Sequence, residues 1–164
     1  MADRPEPYTW ADQISYAAES VLDAAKEALF THNRVVPAVV YATEGTPVHD
    51  GEQLTISLVQ SYYGQPGDQA EQPSLCNGII SAVFQLELVR CVASSYNLKT
   101  KTGGTVEEKH ESALELYKDA STLIRTPNYL PHNFDRTTMA DITIGTLQGG
   151  YIPITMNVIV GLVI

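Results

Sequence analysis

Basic residues are scarce in this 164-residue chain, and cysteine, tryptophan and long apolar runs are scarcer still. Ten Lys and Arg stand against 19 Asp and Glu, for a formal net charge of −9 and a pI near 4.7. A phosphate backbone is recognised through clustered Lys and Arg. The nearest approach to a cluster is Lys99 with Lys101, in a stretch that reads as a solvated loop. The composition therefore argues against sequence-independent nucleic-acid binding, while a negative wall that DNA slides past without adhering is compatible with it. Two cysteines, Cys76 and Cys91, are too few for a disulfide scaffold and lie too far apart for a Cys-x-x-Cys zinc site. They are expected to be free thiols in a reducing compartment. The opening residues Met-Ala-Asp-Arg-Pro-Glu-Pro lack the apolar stretch of a signal peptide. The apolar run 158–164 is far shorter than the about 20 residues a membrane helix needs, so no membrane association is expected. Gly-x-Gly-x-x-Gly, Walker A and Gly-x-Ser-x-Gly signatures are all missing, as is any repeat of 20–50 residues.

What is present suits an ordinary folded domain: 44% apolar and 18% charged residues over a length that can bury a real core. One domain over 1–164 is expected, with residues 1–8 a flexible N-terminus and 64–77 a mobile loop. Charge is uneven. Residues 1–75 hold 11 acidic and 3 basic side chains, net −8; residues 76–164 hold 8 and 7, net −1.

The strongest pattern is at 78–96. Ile80, Ala82, Phe84, Leu86 and Leu88 alternate with Ser81, Val83, Gln85, Glu87 and Val89, the period of a strand with one face on a core. Nineteen residues of strand would run roughly 60 Å, far beyond an ordinary strand, which predicts a bend or a projecting arm. Residues 9–31 read as a helix with Trp10, Ile14, Ala17, Val21, Leu22, Ala25 and Leu29 on one face, ended by His32-Asn33. Residues 35–42 read as a strand at an edge, or pairing only after Pro37, and 53–63 as another. Thr105 and Glu108 form a capping box that opens a second helix, with a buried stripe of Ala113, Leu116, Tyr117, Ala120, Leu123 and Ile124, ended by Thr126-Pro127. Residues 128–136 read as loop. Strands at 137–147 and 151–164 flank Gly149-Gly150, a hairpin signal. The predicted architecture is α+β: a mixed, mostly antiparallel five-stranded sheet, two helices packed on one face, and a long β-hairpin arm.

Candidate chemistry is thin. His49-Asp50 and His132 with Asp135 sit in separate loops and would make a metal site if those loops met; as turn residues they need no such role. No catalytic, cofactor-binding or metal residue is assigned, and no cofactor. Glu107, Glu108, Glu111 and Glu115 give the second helix an acidic face, either simply solvated or set against a basic partner.

Several segments together resemble the tail terminator family of long-tailed, siphovirus-type actinobacterial bacteriophages. They are Val21-Leu22-Asp23-Ala24-Ala25 in the leading helix; Val48-His49-Asp50 and then Gln53-Leu54-Thr55-Ile56; a Pro-rich loop with Cys76; Leu86-Glu87-Leu88-Val89-Arg90-Cys91; Lys118-Asp119-Ala120; and Gly149-Gly150 before the last strand. The resemblance covers most of residues 18–164. Residues 1–8 and 126–136 have no counterpart. It implies a non-enzymatic virion protein of the tail–neck region, assembled in the host cytoplasm. It also implies a homo-oligomeric ring, of six copies, between the major tail tube protein and the head–tail connector or stopper, with genomic DNA passing through its lumen. Alternatives are a head–tail stopper or other neck-ring protein, a small metal-dependent enzyme using His49, Asp50, His132 and Asp135, and a monomeric binding module.

Overall fold

The computed structural model describes residues 10–45, 47–49, 51–67, 79–92, 105–132 and 134–163. In chain order the elements are helix α1 (Trp10–Thr31), strands β1 (Val39–Ala42), β2 (Gln53–Tyr63) and β3 (Ile79–Cys91), helix α2 (Val106–Leu123), a 3-10 turn (Thr126–Tyr129), and strands β4 (Asp135–Ile144) and β5 (Tyr151–Val163). The sheet order is β1-β2-β3-β5-β4. β1 lies parallel to β2, and every other pair is antiparallel. The α+β architecture and the five-stranded, mostly antiparallel sheet follow the sequence pattern.

One set of alternating side chains builds the core. Leu54 and Ile56 of β2, Ala82, Phe84, Leu86 and Leu88 of β3, and Ile154, Met156, Val158 and Val160 of β5 join one buried cluster with both helices. α1 contributes Ala17, Val21, Ala24, Ala25 and Leu29; α2 contributes Leu116 and Leu123. Each fully buried Leu, Val or Phe is worth roughly 1.5–3 kcal/mol of transfer free energy. Both helices therefore sit on one sheet face, as their single apolar stripes require. The side chain of Trp10 lies outside the described residues.

Local signals fix the element ends. At α2, Thr105 Oγ1 accepts from the Glu108 amide while the Thr105 amide donates to Glu108 Oε2, both at 3.2 Å. At the end of α1, Asn33 has φ +56°, the Arg34 amide donates to Leu29 O and the Asn33 amide to Phe30 O. These bonds satisfy the last carbonyls of the helix in a Schellman-type stop. Gly149 and Gly150, at φ +59° and +91°, make the two-residue turn that closes Gln148 against Tyr151; two positive φ angles are what such a hairpin needs.

Two expectations are corrected, and no projecting arm is seen among the described residues: β3 spans 13 residues, all paired to β5, with β2 along most of its other side. It is a central strand, and its alternation is long because both its partners are long. Residues 93–96 and the N-terminal segment 1–8 lie outside the described residues. At the start of the loop after β2, Ser81 Oγ donates to Gly64 O at 2.8 Å and the Gly67 amide donates to Tyr62 Oη at 3.2 Å; the rest of the segment expected to be mobile, 68–77, is outside the described residues. Tyr117 and Ile124 are exposed, at 56% and 45%. They sit one residue, or about 100° of helix, past Leu116 and Leu123, and the buried phase is completed by Asp119 and Thr122. Finally, residues 126–129 form a 3-10 turn and β4 begins at Asp135, where a loop was expected; Pro127 ends α2 but suits the first turn of a new helix.

Candidate functional site

A polar cluster interrupts the core where α1 ends. β3 points Ile80 through Leu88 at the helices, and the next residue in that phase is Arg90, 6% exposed. α2 buries Leu116 and Leu123 and, in the same stripe, Asp119. Asn33 turns the chain so that Arg34 leaves α1 toward them. Arg90 Nε donates to Asp119 Oδ2 at 2.9 Å and Nη2 to Oδ1 at 3.3 Å. Arg34 Nε donates to Asp119 Oδ1 at 2.7 Å. One carboxylate thus receives two guanidinium groups in a nearly dry place, where charges are tolerated only when paired and hydrogen-bonded.

The remaining donors are also taken. Arg90 Nη2 donates to Val35 O at 2.6 Å, and Arg90 Nη1 faces Glu52 at 3.7 Å. Arg34 Nη2 donates to Glu115 O at 3.2 Å, and Nη1 meets the Glu115 carboxylate at 2.7 Å. Lys118 reaches Glu115 at 2.7 Å as well. The Asp119 hydrogen bond holds the Arg34 guanidinium above its ordinary value against the opposing effect of burial, with Glu115 adding to it. Lys118 first, then Arg34, hold the Glu115 carboxyl below its ordinary range. A cavity of about 370 Å³ opens over this cluster, lined among others by Glu52, Arg90, Cys91, Ser112 and Glu115. Every guanidinium nitrogen already faces a carboxylate or carbonyl oxygen, so the planar fork that would grip a substrate anion is occupied. The cluster acts as a clasp joining the exit of α1, the end of β3 and the middle of α2.

On the other sheet face lies a second buried pair. β1 and β2 are parallel neighbours joined by only the segment 43–52, shorter than the usual helical crossover. This segment places His49 Nε2 2.7 Å from Glu87 Oε1, both side chains about one-tenth exposed. Gln53 Nε2 donates to Val48 O beside it, at 3.1 Å.

The described residues of the loops proposed for a metal site are not brought together. His49 packs on Glu87, on the face away from the helices. His132 lines a groove against α1 with Glu19 and Asp23. Asp50 and the side chain of Asp135 lie outside the described residues. Among the described residues, no group of three or more His, Cys, Asp and Glu is placed to hold a metal ion, and no helix is long and apolar enough to cross a membrane. Cys91 is a free, exposed thiol; Cys76 lies outside the described residues. Sequence patterning missed Arg90, Asp119 and the partner of His49. A charged residue at a core phase on each of two amphipathic elements was the available signal for the first two. No family model matches the chain, and no curated protein matches it.

Proposed function

We propose that the chain is a structural subunit of a bacteriophage tail–head junction, a tail-terminator-like protein working as a homo-oligomeric ring of six copies rather than as an enzyme. In this reading the ring caps the tail tube and presents a surface to the head connector. The observation that carries it is surface left uncovered by the single chain. Phe30 is 72% exposed, Tyr117 56% and Leu114 43%, and the outer edges of β1 and β4 have no strand beside them among the described residues. Apolar patches and open strand edges of this kind are what neighbouring subunits cover. The net charge of −9 supports a lumen through which DNA moves without adhering. The order of the segments from Val21 to Gly150 supports the particular family.

The test is a light-scattering mass and electron microscopy of the purified chain. The expected result is a ring with the mass of six 17.9 kDa chains that binds the ends of isolated tail tubes. A protein that stays monomeric and leaves tubes unbound would reject the proposal.

A further inference from the structure

The charges on the outer helix surfaces are segregated. On one flank of α1, Glu19, Asp23 and Glu27 follow at four-residue spacing and, with Tyr16, Tyr129 and His132, line an open groove of about 550 Å³. Like charges at this spacing work against a helix. Of the three, Asp23 alone has a cation beside it among the described residues, Lys26 at 3.7 Å. A second groove, of about 640 Å³, lies where the end of α1 meets α2, lined by His32, Leu114, Tyr117, Lys118 and Arg125 among others, with no carboxylate in its described lining, although Lys118 also reaches Glu115 at the rim of the clasp at 2.7 Å. Leu114 and Lys118 fall at i and i+4 on one stripe of α2, and Arg125 lies in the turn just past the end of that helix. Arg125 makes no ion pair among the described residues.

We infer that these are the two halves of one contact between copies of this chain, in which the outer stripe of α2 from one copy lies in the acidic α1 groove of the next. Lys118 and Arg125 face Glu19, Asp23 and Glu27, and Tyr117 and Leu114 lose their exposure against the groove wall. The inference rests on the ring reading above and gives it a specific surface. A chain of net charge −9 repels its own copies, so association requires the acidic surface of one to meet the uncommon basic surface of another. Two unlike patches on one chain make a head-to-tail contact, the kind that repeats around a closed ring.

Charge reversal tests it. Lys118→Glu with Arg125→Glu, and separately Glu19→Arg with Asp23→Arg, change exposed residues and leave the core untouched. Sedimentation of the full chain should show each pair weakening association by roughly tenfold or more, and a chain carrying all four substitutions should recover it. A dimer rescued in the same way would support the contact and overturn the ring reading. Rings that persist unchanged in both two-site variants would overturn the contact and leave the ring reading standing. A wild-type chain that stays monomeric would overturn both.

Discussion

Arg90 and Asp119 meet through two guanidinium nitrogens, at 2.9 and 3.3 Å, across 29 residues of chain. One lies at the end of a central strand and the other inside a helix, each at a position its pattern reserves for a hydrophobic side chain. Their pairing fixes how far α2 can slide along the sheet, and Arg34, bound to the same carboxylate, ties the exit of α1 to both.

Removing that carboxylate leaves two arginines without their shared partner. We expect Asp119→Ala to lower unfolding free energy by about 3–5 kcal/mol, because an uncompensated buried charge costs more than the pair contributes. Asp119→Ala combined with Arg90→Met should recover part of the loss. Urea unfolding midpoints at one fixed protein concentration measure both.

Acid should act through Glu115. Its carboxyl is held below the ordinary carboxylate range in the folded chain by Lys118 and Arg34. Its contribution is therefore present above the unfolded value and is lost as pH falls through the folded one. The raised Arg34 contributes fully at any pH below its ordinary value. We expect the stability difference between wild type and Glu115→Gln to be constant near neutral pH and to vanish in strong acid. It should stay small, since Glu115 is exposed. A difference that grew on acidification would have the wrong sign.

The His49–Glu87 pair should hold the crossover segment. Glu87→Ala strands a mostly buried imidazole at a cost of about 1–3 kcal/mol. Amide exchange should quicken in Val39–Ala42, whose strand the segment leads out of, more than in the middle of β3. Equal exchange in both would place the pair outside this role.

Gly145 is expected to resist substitution. A Cβ there would stand 2.7 Å from Pro153 Cγ, a ring atom with little freedom to move. Gly145→Ala should cost about 1–3 kcal/mol as overpacking, read as a shift in thermal midpoint. At Gly45, where a Cβ meets nothing within 4 Å, the same change should be close to neutral.

The elements were largely legible because each had a local cause: the Thr105–Glu108 box, Asn33 after α1, Gly149-Gly150 between strands, Pro37 delaying β1. What was not legible depended on distance in space. A period of two shows that alternate residues of 80–88 line a core, but not that β3 is flanked on both sides. Helical periodicity located the α2 stripe to within one residue and so misplaced Tyr117 and Ile124. Nothing local to His49 announces Glu87, because their meeting depends on a parallel connection that sequence pattern alone does not reveal.

The sheet order also sets the sequence of events in folding. β4 and β5 are joined by the short segment 145–150, itself closed by the turn at Gly149-Gly150, and can pair early, since closing so small a loop costs little entropy. β3 must then find β5 across the whole of α2 and β4, joining Ile79 to Val163. This long-range closure is expected to be the slow, contact-order-limited step, which stopped-flow refolding would read. β1, four residues held by a single neighbour, can dock only once β2 is in place. The last strand to form is then also an outer edge of the finished sheet, and a newly made chain acquires its core before it acquires that edge.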